Sequence, residues 1–179
     1  TLVNYEIIAS PQVEAFLDND YPSTICQGTQ DFVPLVAQVS GVDASPVSWS
    51  TNGSGILTPT GPLTAEYLPS LTEFGVITFT VTTNDPANPN PCGPASDDVT
   101  LTIDETASAT ITAPAAVCTN AFPINLSVIV GGTGVTGGTW SSQSGSPASF
   151  GDATSLTTTY TPSANEITAG TVTIRFTTN

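Results

Sequence analysis

The chain has 179 residues, of which 15 are acidic, one is Lys or Arg and none is His, for a formal net charge of −14. With Arg175 as the only cation, phosphate-backbone binding and attachment to an anionic membrane have no electrostatic basis. Ser-His-Asp triads, Schiff-base lysines and His-ligated metals are excluded outright, and no apolar run reaches the roughly 18 residues of a membrane-spanning helix.

Fifteen Gly and fifteen Pro punctuate short runs rich in Thr, Val, Ile and Tyr, the pattern of many short strands joined by turns. Strands are expected at 12–17, 32–39, 46–51, 63–68, 75–83 and 97–103, then at 107–112, 124–130, 137–141, 156–161 and 171–178. Ile77, Phe79 and Val81 alternate with Thr78, Thr80 and Thr82, which predicts a half-buried strand. Val172, Ile174 and Phe176 repeat that pattern. Leu126, Val128 and Val130 alternate with Ser127 and Ile129. No sustained 3.6-residue period appears, so almost no helix is expected.

The strands fall into an internal repeat. YPSTICQGTQDFVPLVAQVSG around Cys26 recurs as APAAVCTNAFPINLSVIVGG around Cys118, and PVSWSTNGSG around Trp49 as GGTWSSQSGS around Trp140. AEYLPSLTE around Tyr67 recurs as TTYTPSANE around Tyr160, and VITFTVTTN as VTIRFTTN. The order is kept and the offset drifts only from 91 to 95 positions. The chain therefore reads as all-β, with tandem immunoglobulin-like or PKD-like sandwich repeats of about 92–95 residues. Residues 1–9, where LVNYEII resembles DVTLTID at 98–104, are expected to form the last strand of a preceding repeat. A complete repeat is expected at 10–103, and a second repeat lacking its final strand at 104–179. The simplest account is a window on a longer array. The other is a domain completed by a strand from another chain. Trp49, Trp140, Tyr67 and Tyr160 occupy matched positions, as core aromatics do.

Three Cys in a lysine-free, Thr-rich β chain suggest an oxidising, extracellular setting. Cys26 can pair with Cys92 within the first repeat, closing a loop for a stabilisation of roughly 4 kcal/mol on a chain-entropy basis. Cys118 is then unpaired in this window, its partner projected near position 187.

The order I-C-x-G, a Trp strand, E-Y-x-P-S, V-I-T-F-T-V-T-T-N, then P-C-G before D-D-V-T-L-T-I resembles repeats of giant cell-surface adhesins of Bacteroidota. These are the gliding-motility adhesin and the PKD-like or Ig-like arrays exported by type IX secretion. The resemblance covers essentially the whole chain, although Thr119-Asn120 stands where the first repeat has Gln27-Gly28. It implies a structural stalk or filament projecting a binding region from the cell, often with calcium dependence. The implied partners are neighbouring repeats or identical chains. A glycan- or surface-binding module and a fibre subunit completed by strand donation are the alternatives.

Candidate calcium ligands are Asp18 and Asp20 before Cys26, Asp97 and Asp98 opening the last strand of the first repeat, and Asp104 and Glu105 in the linker. Asp85, Asn88 and Asn90 share a Pro-rich loop with Cys92. EF-hand spacing is absent, and Asp and Asn at turns commonly bond backbone instead. The carboxylate pairs Asp97/Asp98 and Glu66/Glu73 are formal candidates for glycoside hydrolysis. Adjacent strand residues point to opposite faces, and no aromatic-lined cleft is indicated, so no enzyme is expected. Asn52-Gly-Ser54 and Asn125-Leu-Ser127 match a glycosylation sequon; the first marks a turn and the second lies in a strand. Arg175 is expected to face solvent or to pair with Glu166.

Overall fold

A computed structural model describes residues 2–5, 7–18, 20–41, 44–84, 92–143 and 149–179. The chain divides into two compact units, Thr1–Glu105 and Thr106–Asn179.

The first unit follows from strands whose apolar residues recur every second position. In chain order they are β1 Gln12–Leu17, β2 Thr24–Cys26, β3 Val33–Ser40, β4 Val47–Thr51, β5 Ile56–Pro59, β6 Thr64–Leu68, β7 Gly75–Thr83 and β8 Ser96–Asp104. They form two four-stranded sheets, ordered β1-β3-β6-β5 and β2-β8-β7-β4. All pairings are antiparallel except β2 with β8. This strand order is that of an immunoglobulin-like sandwich. In β7, Ile77, Phe79, Val81 and Thr83 point inward while Thr78, Thr80 and Thr82 are half-buried, because successive side chains leave a strand on opposite faces. Ile77 and Phe79 meet Val33, Leu35, Ala65, Tyr67, Leu101 and Ile103 in one cluster, and Val81 packs with Ala15 and Ala37 in another. Tyr67 and Phe79 pack edge-to-face with centroids 4.9 Å apart, the favoured aromatic geometry.

The second unit contains β9 Ser108–Thr112, β10 Ile124–Gly131, β11 Gly138–Ser142, β12 Thr157–Tyr160, the helix α1 Ala164–Ala169 and β13 Ile174–Thr178. Its sheets are ordered β12-β10-β9 and β11-β13. Leu126, Val128, Trp140, Phe150, Tyr160 and Phe176 fill the space between them. Trp140 pairs with Phe176 across β11 and β13 as Trp49 pairs with Val81 across β4 and β7. The alternating strands of both units lie close to their expected places.

Several elements differ from expectation. β2 and β5 are short strands read from the sequence as loop; their 3 and 4 residues are too few to show a period. Residues 164–169 form a helix where none was expected, and β13 starts later than position 171. The helix is a single capped turn, too short for an apolar period, and its signature lies in its caps. Residues 2–5 and 7–9 carry no strand.

Candidate functional site

The most developed polar constellation is a tyrosine–glutamate corner, built once in each unit. In the first, Tyr67 at the end of β6 has no exposed surface. Its hydroxyl donates to Glu73 Oε2 at 2.5 Å and accepts from the Gly55 N–H at 2.8 Å. Glu73 is 8% exposed. Its Oε1 accepts from the Ser54 N–H and hydroxyl, and its Oε2 from the Ser70 N–H. A buried carboxylate is tolerable only when its lone pairs are satisfied, and here donors come from both the 52–55 turn and the 70–73 turn. A Cβ at Gly53 or Gly55 would collide with the Tyr67 hydroxyl, so glycine lets the backbone close over the phenol.

Burial alone would raise the Glu73 carboxyl. Its hydrogen bonds, led by that from Tyr67, together outweigh burial and hold it below its ordinary value. The Tyr67 phenol is pushed well above its ordinary value, by burial first and then by the hydrogen bond to Glu73. The pair is therefore a neutral donor on an ionised acceptor, a charge-assisted bond.

In the second unit the Tyr160 hydroxyl donates to Glu166 Oε1 at 2.7 Å, and Glu166 is 6% exposed. Glu166 Oε2 accepts from the Ser163 N–H at 2.7 Å, while Ser163 Oγ accepts from the Glu166 N–H at 3.3 Å. This is a reciprocal capping box on α1, closed at the far end by Gly170 in the left-handed conformation at φ 75°. The corner can anchor the loop that crosses between the sheets. It presents no nucleophile or base to solvent, because both carboxylates are consumed internally.

Sequence reading placed Tyr67 and Tyr160 in the core, and both are fully buried. Trp140 is buried as expected, and its Nε1 donates to the Ser155 carbonyl at 2.8 Å. Trp49 is only partly buried, packed between two apolar clusters, and its buried Nε1 has no hydrogen-bond partner among the described residues. Glu73 and Glu166 were missed as structural anchors. Their signal was present in the Y-x-P-S-x-x-E spacing common to 67–73 and 160–166, whose last four positions are a capping box.

The expected Cys26–Cys92 disulfide does not form. Cys26 ends β2 opposite Asp104, at the last residue of β8, whereas Cys92 lies four positions before β8 begins at Ser96. β8 has nine residues, whose first and last are about eight steps of ~3.4 Å or about 27 Å apart, against a Cα separation of under ~7 Å for a bridge. Cys92 instead meets the Ser10 hydroxyl at 3.7 Å and the Ile8 carbonyl at 3.9 Å. Cys118 is exposed.

The calcium candidates are dispersed. Asp97 and Asp98 lie at the start of β8 and Asp104 at its end, followed by Glu105. Asp97 Oδ2 accepts from the Ala15 N–H at 2.8 Å, tying β8 to β1. Asp18 and Asp20 flank the turn after β1, where the Asp18 carbonyl accepts from the Tyr21 N–H at 2.7 Å. Among the described residues no three Asp, Glu, Cys or His side chains gather as a metal cluster. Asp85, Asn88 and Asn90 lie outside the described residues. Glu66 sits on β6, one residue before Tyr67 and so on the opposite face, so it does not join Glu73. Asn52 Oδ1 accepts from the Thr78 N–H at 2.8 Å, fixing the turn after β4 to β7. Asn125 lies in β10, and Arg175 is exposed on β13.

Neither a protein-family model nor a curated protein matches the chain. Among solved structures, it is similar to the N-terminal four Ig domains of Dscam1 isoform 9.44, at 12% identity and a TM-score of 0.44, covering 92% of this chain and 42% of that one. The corresponding values for Dscam1 isoform 4.44 are 12%, 0.39, 74% and 36%. A third structure, described as the structural basis for Dscam isoform specificity, gives 12%, 0.40, 88% and 40%. The chain thus spans less than half the length of these structures, and the immunoglobulin-like assignment rests on strand order within the first unit.

Proposed function

We propose that the chain is a structural segment of a long extracellular array, a stalk of Ig-like sandwiches that holds a binding region away from a cell surface. The observation that carries this reading is what the two units have in common. The matched residues that build each framework are mainly interior ones, Tyr67 and Tyr160, Glu73 and Glu166, with Trp49 partly and Trp140 fully buried. A repeat kept for its framework, with divergent exposed faces, suits a spacer. A binding module instead needs one exposed constellation. The strongly acidic, lysine-free surface suits exposure to an outside medium, where uniform charge resists aggregation. The resemblance of the I-C-x-G, Trp-strand and Y-x-P-S blocks to Bacteroidota adhesin repeats supports placing the array on a bacterial surface.

The test is the mass of the polypeptide from its source, by denaturing analysis with and without reductant, together with peptide mapping. The expected result is a chain many times longer than 179 residues, with related peptides recurring every 91–95 positions. A native chain of about this length would overturn the stalk reading.

A further inference from the structure

We propose that the cysteines of the array join neighbouring repeats instead of closing within one. The thiol at the Cys26 position of one repeat forms a disulfide with the thiol at the Cys92 position of the repeat that follows. The proposal deepens the stalk reading and rests on it, by naming how consecutive repeats are tied.

The two cysteines of the first unit stand at its opposite ends. Cys26 closes β2 opposite Asp104, the last residue of β8, and the Gln27 N–H donates to the Asp104 carbonyl at 2.8 Å. Cys26 therefore lies where the chain leaves the sandwich. Cys92 lies where the chain enters it, 3.9 Å from the Ile8 carbonyl and 3.7 Å from the Ser10 hydroxyl. Cys26 is exposed and Cys92 partly so, which gives an oxidant access to both.

Entry and exit are equivalent places in the repeat. Tyr67 lies opposite Val33 and Tyr160 opposite Ile124, which makes Gly41 the counterpart of Gly132. A Cβ on Gly41 would strike the Ser10 carbonyl and Pro11, and one on Gly132 the Thr106 carbonyl and Ala107. The strands agree: Gln12 pairs with Ser40 at the start of β1 as Ser108 pairs with Gly131 at the start of β9. Ser10 thus corresponds to Thr106 and Pro11 to Ala107, and Ile8, two residues before Ser10, corresponds to Asp104. The match of LVNYEII at 2–8 to DVTLTID at 98–104 gives the same pairing from sequence.

The junction residue therefore collects one cysteine from each side. What Cys92 does at Ile8, its counterpart in the following repeat does at Asp104, and Asp104 already lies opposite Cys26. Neighbouring strands are about 4.8 Å apart, so both cysteines reach the same stretch of backbone, as a bridge with Cα atoms under ~7 Å apart requires. Within one repeat the length of β8 holds the two positions apart; across the junction that length drops out. Cys118 is the counterpart of Cys26 in the second unit and is exposed, so it joins a third repeat in the same way. Successive bridges interleave along the chain, which limits how far a pulled array can lengthen.

The oxidant is a disulfide outside the cell, on a small molecule or a protein. One cysteine thiolate attacks it to give a mixed disulfide and releases one thiol. The second cysteine thiolate displaces the other thiol as the junction S–S bond forms. The external disulfide is reduced to two thiols, which take up the two protons.

The test is disulfide mapping of the protein from its source, alkylated with iodoacetamide and digested without reductant. Cleavage before aspartate releases Cys26 in residues 20–30 and Cys92 in residues 85–96. The expected product is 20–30 joined to the P-C-G peptide of the following repeat, projected near position 187, and it should disappear on reduction. Residues 20–30 joined to 85–96, or alkylated at Cys26, overturn the proposal. The 179-residue chain supplies a second readout. Held folded and dilute with oxidised glutathione, it should yield 20–30 and 85–96 unlinked to each other within one molecule; a Cys26–Cys92 bridge there also overturns the proposal. These outcomes are distinct from that of the native mass. A long polypeptide with its bridges inside each repeat sinks the junction bridge and leaves the stalk standing, whereas a native chain of about 179 residues removes both.

Discussion

The two units build the same corner within different sets of strands. Among the described residues the first has eight strands in two four-stranded sheets, and the second has five in sheets of three and two. Both nevertheless bury the same Tyr–Glu corner and carry a tryptophan on the strand paired with β7 or β13. In the first unit the partners of the corner come from the 52–55 and 70–73 turns and not from β8. What β8 contributes is lateral cover: Leu101 and Ile103, at 0% and 2% exposure, seal the core of the first unit. Framework and cover are therefore distinct sets of residues in the first unit, and whether they unfold separately can be measured.

The largest expected effect comes from undoing closure in the first unit. Leu101→Ala should destabilise it by about 3 kcal/mol, within the ~2–5 kcal/mol typical of deleting a large buried side chain. Hydrogen exchange read by mass spectrometry should show faster exchange across β3, β6 and β7, with β10 to β13 unchanged. Equal acceleration in both units would mean that they unfold as one cooperative body, which would break the separation.

Next in size is the corner itself. Glu73→Ala leaves the Tyr67 hydroxyl and the Ser54 and Ser70 amides without their acceptor, at an expected cost of about 3 kcal/mol or somewhat less. Tyr67→Phe keeps the ring and loses one hydrogen bond to a charged group, about 1.5–2 kcal/mol. The acid limb supplies a second readout. The folded-state pKa of Glu73 lies below its ordinary value of 4.5. Its contribution is therefore present above pH 4.5 and lost as pH falls through the depressed value. Tyr67 is shifted upward from 10.0, so its contribution is present below about pH 10 and lost only as pH rises beyond it. Urea midpoints between about pH 2 and 7 should fall less steeply on the acid side in E73Q than in the natural chain. Identical acid limbs would mean that Glu73 carries no part of the pH dependence.

How far the sequence carries this comparison depends on the period of each element. β7 is legible because Ile77, Phe79 and Val81 alternate with threonines over nine residues. β2 and β5 are too short for such a signal, and their strand state comes from neighbours already in place. The tyrosines are legible as core because they recur in register. The role of Glu73 and Glu166 is not visible in hydropathy, since a buried carboxylate looks like a surface one until its donors are known. It was encoded in the S-x-x-E spacing after each Y-x-P. The disulfide misled because matching cysteine counts carries no information on distance: β8 holds Cys26 and Cys92 at opposite ends of its own length. Acidic residues pose the same problem of distance, since Asp97 and Asp104, near in sequence, lie at opposite ends of one strand.

The smallest expected effect separates the two tryptophans. Trp140 is 2% exposed, its Nε1 is bonded to Ser155, and its ring lies edge-to-face with Phe176 at 5.0 Å. Trp140→Phe deletes that donor, leaves the Ser155 carbonyl without it and opens space among Leu126, Val128, Phe150 and Phe176. The Trp49 Nε1 is buried with no partner among the described residues, so no described residue offsets its desolvation. Trp49→Phe removes the orphaned N–H together with some apolar contact, two effects of opposite sign. The substitution at Trp140 should therefore cost about 1–2 kcal/mol more than the one at Trp49. Urea unfolding of each variant, followed through the remaining tryptophan and assigned by exchange, measures the difference. If Trp49→Phe proves as costly as Trp140→Phe, the Trp49 N–H has a partner in solution and the two tryptophan positions are equivalent after all.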